Sequence, residues 1–427
     1  MKRILINEIS RHQDKSVPLA GRITNVRQLG TISFLQLMDY TGIIQTVWDK
    51  DTGVKVGDIV TLTGKVVKDE RAKGGFEIQG EKIETISTSV ADYPFDIAKP
   101  NLNLQLNTLL DYRTLSLRHP KVRAIFKLYD KILESYEKVM REEGFTEIKT
   151  PKLLETASEG GANFFKVDYF DKHAFLAQSP QFYKQIMTGV FERVFEIGTA
   201  FRAEPHFTTR HINEYTSLDA EMAMIDSYHD VMAMLNKVVK KIFEHLKENA
   251  APILELYGVD LPEVPTEIPK VKLADLRKII KDKYNYDIPE STDIDPEGER
   301  LAYRYAKEKY NSEFIFITNY FWKDKPFYTM PSAENEEETE GFDLIYRGVE
   351  IVTGSQRIHK YDMLMENMKK KGVSPKGMEF YLETFKYSMP PHGGWGLGSE
   401  RLAQLILGLP TIKEATLFPR DVKRLAP

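Results

Sequence analysis

The chain has 427 residues and no cysteine, with 59 basic against 63 acidic side chains, a formal net charge of −4. The missing cysteines exclude disulfides, thiolate metal sites and cysteine nucleophiles. The balanced charge excludes a global basic footprint for nucleic acid, though a local basic face remains open.

Hydrophobic residues at 42% and charged residues at 29% are ordinary globular composition. Domains of about 100–200 residues allow roughly two to four of them. No apolar run reaches the roughly 18 residues of a membrane helix. The first residues, MKRILINEISRHQDKS, turn polar too early for a secretory signal. The expectation is a cytoplasmic protein with no membrane association.

Residues 1–90 read as all-β. Candidate strands are 17–26, 31–38, 43–48, 58–67 and 76–85, rich in β-branched and aromatic residues and separated by Gly, Asp or Lys turns. Five such strands suit an OB-fold barrel or another small antiparallel sheet. Residues 91–112 hold two prolines and little periodicity, and read as a linker. A helix over 121–143 follows, with Ile125, Leu128, Ile132, Tyr136 and Val139 at spacings of three and four and Gly144 as its stop.

From 145 the pattern mixes strands and helices. Segments 192–203 and 215–225 read as a strand pair; in the second, Leu218, Ala220, Met222 and Met224 alternate with Asp219, Glu221 and Ala223. A helix over 228–247 starts at a capping box of Ser227 and Asp230. Residues 268–312 read as a small, highly charged α/β insertion, uninformative about chemistry. Strands at 314–318, 341–347 and 348–353 and helices near 361–371 and 378–386 complete the chain. The acidic run 334–340 (ENEEETE) reads as a solvated loop tip. Hairpin-like strand neighbours point to an α+β domain, an antiparallel sheet carrying helices, rather than a doubly wound parallel sheet.

Four segments hold the polar residues that need explaining: 157–184, 201–221, 341–357 and 392–401. Arg202 and Glu204 are two residues apart and would share a strand face, either as a phosphate-binding pair or as a surface cross-strand set. Asp343 and Glu350 are seven apart, an odd spacing that puts them on opposite faces of one straight strand. A turn at Arg347–Gly348 would bring both into one cleft, as a Mg²⁺ site beside phosphates or a sheet-edge charge pair. Gly393, Gly394, Gly396 and Gly398 lead into an apolar helix. They suit an anion cradle at the helix N-terminus, and close packing explains them equally well.

Taken in order, these segments make the sequence resemble a class II aminoacyl-tRNA synthetase, with closest similarity to the archaeal-type aspartyl-tRNA synthetases of class IIb. FTEIKTPKL (145–153, with Pro151) resembles motif 1, which builds a homodimer interface. FRAE with RHINEYTSLDAEMA resembles motif 2, and GLGSERL with LFPRD resembles motif 3. The resemblance implies an N-terminal OB-fold that binds the anticodon over 1–90, a linker over 91–112, and a class II catalytic antiparallel sheet flanked by helices over 113–427.

The resemblance also implies roles. Arg202 would bridge the ATP α-phosphate and the substrate α-carboxylate. Glu204 would contact the adenine side, Arg210 would hold the terminal phosphates, and Tyr215 and Arg401 would flank the adenine. Ala203, His211, Ile212, Gly398, Ser399 and Glu400 complete the implied nucleotide site. Asp343 and Glu350, with Thr353, match the Mg²⁺ ligands. Arg202, Arg401 and Glu350 form the catalytic set.

Lys184 and Arg357 match the cations that hold an aspartate side chain, Gln181 another amino-acid contact, Thr353 a further one, and Glu159 a loop closing over the ammonium. A neutral amide in place of aspartate would leave Lys184 buried and unpaired, at about 1–3 kcal/mol. On the barrel, Phe34, Gln45, Lys73 and Glu77 match positions facing the anticodon, although a strand phenylalanine is more often core. Thr24 and Lys73 stand where strict and relaxed relatives differ.

The implied reaction is activation of L-aspartate by ATP with Mg²⁺, then transfer to the 3′ end of tRNA(Asp), with tRNA(Asn) an open second acceptor. The alternatives are an asparaginyl-tRNA synthetase, a free-standing asparagine synthetase relative, which would lack the barrel, and a non-catalytic RNA-binding paralogue. His392 reads equally as a substrate contact or as a structural histidine.

Overall fold

Five β-rich runs of the first 90 residues do form strands. They are β1 (Ser16–Leu29), β2 (Ile32–Met38), β3 (Ile43–Trp48), β4 (Ile59–Lys68) and β5 (Phe76–Ser87). They close a barrel in the order β1-β2-β3-β5-β4, so no long edge is left for other chains to pair with. Alternate residues fill the interior, including Val17, Leu19, Leu35, Leu37, Trp48, Leu62 and Ile78. Gly80 gives the Trp48 ring its place, since a Cβ there would lie 2.3 Å from it.

The structure, a computed structural model, describes residues 3–72, 74–156, 163–205 and 208–426. It divides into two units between Lys121 and Val122. In the first unit the chain after the barrel is not featureless. Leu106–Asp111 and Arg113–Ser116 are helical, Arg118 donates to the Tyr93 hydroxyl at 3.2 Å, and the His119 ring meets the Lys99 carbonyl at 2.8 Å.

The second unit is built on an eight-stranded sheet. Its strands are β6 (Thr146–Glu147), then β10 (Arg193–Phe201), β11 (Glu214–Ala223), β12 (Lys270–Lys272), β13 (Phe314–Thr318), β14 (Gly341–Tyr346), β15 (Val349–Arg357) and β16 (His392–Gly398). The chain between β6 and β10 holds a separate three-stranded sheet of β7 (Leu153–Leu154), β8 (Lys166–Tyr169) and β9 (Lys172–Leu176). The large sheet runs β12-β13-β14-β15-β16-β11-β10-β6 and is antiparallel except at its two edge pairs.

Strand alternation gives this sheet two unlike faces. One face presents Leu218, Ala220, Met222, Leu344, Val352, Trp395 and Leu397. Against it pack the apolar stripes of the helices Pro120–Glu142, Tyr228–Asn249 and Ser399–Leu407. The Ser227–Asp230 capping box is formed, and Gly144 takes φ +78° just past its helix. The other face carries the polar residues described below.

Three expectations need correction. Met224 does not continue the alternation; it follows the end of β11 with φ +57° and is 68% exposed. Arg202 and Glu204 do not share a strand, because β10 stops at Phe201. The acidic run is only partly a solvated tip: Glu338 and Thr339 are buried, and Glu338 caps back on Asn335. The segment 268–312, which holds a strand and two helices, joins the large sheet, with β12 pairing along β13 and Leu273, Leu276, Ile280, Ala302 and Ala306 sharing a core with Ile315, Ile317 and Ile345.

The glycines of 393–398 lie on a buried central strand rather than in a loop. A Cβ at Gly394 would sit 2.1 Å from the Ala220 carbonyl oxygen and 2.3 Å from Glu221 Oε2. Overpacking of this kind costs about 1–3 kcal/mol or more. Gly394→Ala should therefore destabilise the second unit by at least that amount, seen as a lower midpoint in a urea titration. An unchanged midpoint would mean that β16 and β11 can separate.

Candidate active site

Register lays out the polar face. Asp343 pairs with Thr353, Thr353 with Gly396 and Gly396 with Asp219. One rung along, Ser355 pairs with Gly394 and Gly394 with Glu221. Paired residues share a face, so Asp219 and Glu221 project beside strand positions that have no side chain. The glycines form the floor of a cleft whose walls are charged.

Arg347 and Gly348 take φ +50° and +77°, as the two-residue turn between β14 and β15 requires. A register shift between Leu344 and Ile345 sets Ile345 opposite Glu350. Ile345 and Asp343 lie two apart on one strand, so the turn and the bulge together put Glu350 on the face of Asp343.

At the deep end sit four buried charges. Lys184, on the helix Gln181–Phe191, places Nζ 2.9 Å from Asp219 Oδ1, 2.9 Å from the Trp395 carbonyl and 3.5 Å from Glu221 Oε2. Arg357 donates from Nε to Glu221 Oε1 at 2.8 Å, from Nη1 to Ser355 Oγ at 2.5 Å and from Nη2 to the Gly394 carbonyl at 3.1 Å. All four side chains are at most 6% exposed. Burial opposes the charge of Glu221, but Arg357 and Lys184 outweigh it and hold its carboxyl below the usual range. Lys184 is thus partnered whatever the substrate carries. A neutral amide in the cleft would therefore not leave Lys184 unpaired, contrary to the expectation from sequence.

At the open end, Arg210 Nη1 donates to Glu299 Oε2 at 2.9 Å, and the same oxygen receives the Glu350 amide at 3.4 Å. Burial pushes the Glu299 carboxyl up to about 7, with Arg210 opposing and Glu350 adding to the shift. Arg401 Nη1 donates to the Glu350 carbonyl at 2.7 Å. The Arg202 guanidinium lies 5.7 Å from the Tyr215 ring centre and 3.8 Å from Glu204, with 45% of its side chain exposed.

Of the residues singled out from sequence, the cleft gathers Gln181, Lys184, Arg202, Glu204, Arg210, His211, Ile212, Tyr215, Glu350, Thr353, Arg357, Gly398, Glu400 and Arg401. Three others do not line it. They are Ala203; Ser399, whose hydroxyl is buried against the Thr216 carbonyl at 2.8 Å; and Asp343, which is held by Lys325 Nζ at 3.2 Å. Glu400 lines the cleft, yet its carboxylate already accepts the Thr216 amide at 3.0 Å and the Tyr129 hydroxyl at 3.2 Å. Glu159 lies outside the described residues.

Sequence reasoning missed Asp219, Glu221, Glu299, Lys325 and Tyr328. For the first two the signal was present: acids alternating with apolar residues on a strand that has no polar partner in view. Glu299 had no local signal, since it holds Arg210 from a helix in the charged segment.

His392 does not line the cleft. It is fully buried, its Nδ1 lies 2.8 Å from the Pro390 carbonyl and its Nε2 lies 2.9 Å from Gln185 Nε2. Burial pulls its pKa down to about 4, against the attraction of Glu221 and together with the repulsion of Arg357 and His359.

On the barrel, Ser33, Leu35 and Leu37 point inward and Phe34 outward. Phe34 is therefore not core. The Arg27 guanidinium lies 4.9 Å from its ring centre, and Gln45 donates to Glu77 at 3.2 Å on the same outer surface. Thr24 sits at the bulge of β1 and donates to the Gln36 carbonyl at 3.3 Å. Lys73 lies outside the described residues.

Comparisons with known proteins agree with this arrangement. Residues 105–422 match the family described as tRNA synthetases class II (D, K and N). The chain belongs to the class II tRNA synthetases. Residues 17–86 match the OB-fold nucleic acid binding domain, which is the barrel. The chain is 43% identical to an aspartate–tRNA(Asp/Asn) ligase of Deinococcus radiodurans, covering 100% of this chain and 99% of that one. It is 41% identical to an aspartate–tRNA(Asp) ligase of Pyrococcus abyssi, covering 97% and 96%. Among solved structures, the asparaginyl-tRNA synthetase of Pyrococcus horikoshii complexed with asparaginyl-adenylate superposes with a TM-score of 0.92 at 30% identity, covering 100% of both chains. This synthetase is an aminoacyl-tRNA ligase: it activates an amino acid with ATP and transfers it to tRNA. No helix among the described residues is long and apolar enough to cross a membrane.

The neutral His392 has a thermodynamic consequence. Its pKa is near 4 folded and 6.5 unfolded, so between those values the unfolded chain binds the extra proton and stability falls as pH is lowered. The loss reaches about 3 kcal/mol at most. Wild type and His392→Gln should therefore converge in urea midpoint between pH 6.5 and 4.5. A constant difference across that window would refute the assignment.

Proposed function

We propose that this synthetase is an archaeal-type aspartate–tRNA ligase, working as a cytoplasmic homodimer. The observation that carries the reading is the pair of buried cations at the deep end of the cleft, Lys184 and Arg357, both lining it. A substrate with a second carboxylate gains charge-assisted hydrogen bonds there that a neutral amide cannot match. The identity figures support the same choice, since the relatives at 40–43% are aspartate ligases and the asparaginyl structure stands at 30%.

In the first step the aspartate α-carboxylate attacks the α-phosphorus of ATP and pyrophosphate leaves. A carboxylate is ionised at neutral pH, so no general base is needed. The work lies in aligning the reactants and offsetting charge as it develops. Arg202 and Arg401 do this at the α-phosphate, and Tyr215 and Arg401 bracket the adenine. Arg210 meets the terminal phosphates after exchanging Glu299 for them. Gln181 accepts from the substrate ammonium, and Glu159 closes over it. In the second step the terminal ribose hydroxyl of tRNA attacks the adenylate.

Mg²⁺ is the implied cofactor. The donor chemistry fits at Glu350 and Thr353, which line the cleft, and Asp343 offers a further carboxylate on the same sheet face from outside it. Mg²⁺ takes one or two carboxylates and fills its shell with phosphates and water. Asp343 would first have to be shared with Lys325. When bound, the ion neutralises phosphate charge.

The barrel reads the anticodon through Phe34, Gln45, Lys73 and Glu77, with Arg27 stacked on the aromatic. Base stacking on such a platform is worth about 1–3 kcal/mol per base.

Charging assays with labelled aspartate, ATP, Mg²⁺ and separate tRNA(Asp) and tRNA(Asn) transcripts test the reading. Aspartate should be loaded on tRNA(Asp). Loading of both transcripts would define a relaxed enzyme, and loading of neither would overturn the proposal. Lys184→Leu should cut aspartate-dependent pyrophosphate exchange by about 100-fold or more, as expected when a buried charge loses its partner. Phe34→Ala should weaken tRNA binding about tenfold while leaving pyrophosphate exchange unchanged.

A further inference from the structure

Behind Gln181 runs a buried chain of hydrogen bonds that the reaction itself does not use. Gln181 Nε2 donates to Gln185 Oε1 at 3.0 Å, and Tyr381 donates its hydroxyl hydrogen to the same oxygen at 3.2 Å. Gln185 Nε2 lies 2.9 Å from His392 Nε2, and His392 Nδ1 lies 2.8 Å from the Pro390 carbonyl. Gln185 and His392 are fully buried, and Gln181 is 5% exposed. Gln181 and Gln185 are one helical turn apart on Gln181–Phe191, which is why their side chains meet.

The polarity of this chain is forced from its far end. A carbonyl oxygen only accepts, so His392 Nδ1 carries the proton. A neutral imidazole then has an acceptor at Nε2. Gln185 must therefore turn its NH₂ toward the histidine and its oxygen toward Gln181. Facing an oxygen, Gln181 must offer its own NH₂, which leaves Oε1 as the terminal atom not committed to Gln185. Burial keeps His392 neutral, which maintains the order. A protonated ring would present N–H on both sides and reverse every amide in the chain.

We propose that Gln185 and His392 are positioning residues that lock the Gln181 amide with Oε1 toward the amino-acid cleft, as an acceptor for the substrate's α-ammonium group. The inference rests on the reading of Gln181 given above. Without the chain, the Gln181 amide turns freely and presents NH₂ to an ammonium for part of the time. The contact then becomes a repulsion between donors. The locked oxygen also selects for a protonated amino group at the α-carbon, so a dicarboxylate without one gains nothing from it.

The test compares aspartate with succinate, which is aspartate without the amino group. In Gln185→Met, the KM for aspartate in pyrophosphate exchange should rise about tenfold, the scale of one hydrogen bond to a charged group. The inhibition constant of succinate and the KM for ATP should stay within about twofold. Tyr381→Phe, which removes only the hydroxyl that donates to Gln185, should move the same ratio in the same direction by a smaller factor.

A parallel rise for aspartate and succinate in Gln185→Met would mark general damage to the cleft and overturn the proposal, as would an unchanged ratio. If that variant does not fold, Tyr381→Phe decides, and an unchanged ratio there overturns it. Absence of aspartate-dependent exchange in the wild type would defeat the aspartate reading instead. The ratio is then read with asparagine and succinamate, and the same outcomes decide.

Discussion

Four charges kept out of water together set the terms for the rest of the catalytic unit. Lys184, Asp219, Glu221 and Arg357 come from a helix and two strands and meet over the glycines of a third strand. Each is tolerable inside the protein only because the other three are there. Removing one partner of a buried pair costs about 3–5 kcal/mol. That mutual dependence explains the glycines: any side chain at Gly394 would occupy the space of the Glu221 carboxylate. It also explains the helix Gln181–Phe191, whose Lys184 must reach the strand carbonyl of Trp395. The floor is neutral as a set, so a charged substrate meets fixed dipoles and donors rather than a bare excess of either sign.

The two ends of the cleft differ in stiffness for a physical reason. The deep end is packed, and its four charges are held against one another. At the open end Arg202 keeps 45% of its side chain exposed, and Arg210 rests on the Glu299 carboxylate. Under the proposed function these are the groups that meet a triphosphate, which is long and highly charged, and they gain by staying hydrated until it arrives.

Periodicity carried most of the fold. The strand alternation of 214–223 separates an apolar face from a polar one, both buried, and the helical stripe from Ile125 to Val139 buries a single face; both patterns survive in the structure. What sequence could not supply were distances set by tertiary packing. Arg202 and Glu204 look like strand residues because β10 gives no local stop signal, yet pairing ends at Phe201. Asp343 and Glu350 share a face only through a bulge, which leaves no mark in composition. Lys184 reads as an ion waiting for its substrate because its partners, Asp219 and Glu221, lie 35 and 37 positions along the chain. The same holds for Phe34: its neighbours decide which way it faces, and the register of β2 turns it out of the barrel.

The helix Pro296–Tyr310 stands outside every recognisable motif, in a stretch that looks dispensable on paper. Yet Glu299 on that helix anchors Arg210, and its neighbours share a core with Ile315, Ile317 and Ile345. Trimming the chain to a minimal catalytic fragment, or grafting its three motifs onto a shorter scaffold, would keep every signature residue in the text of the sequence. Such a fragment would leave Arg210, which lines the cleft, without the carboxylate that holds it.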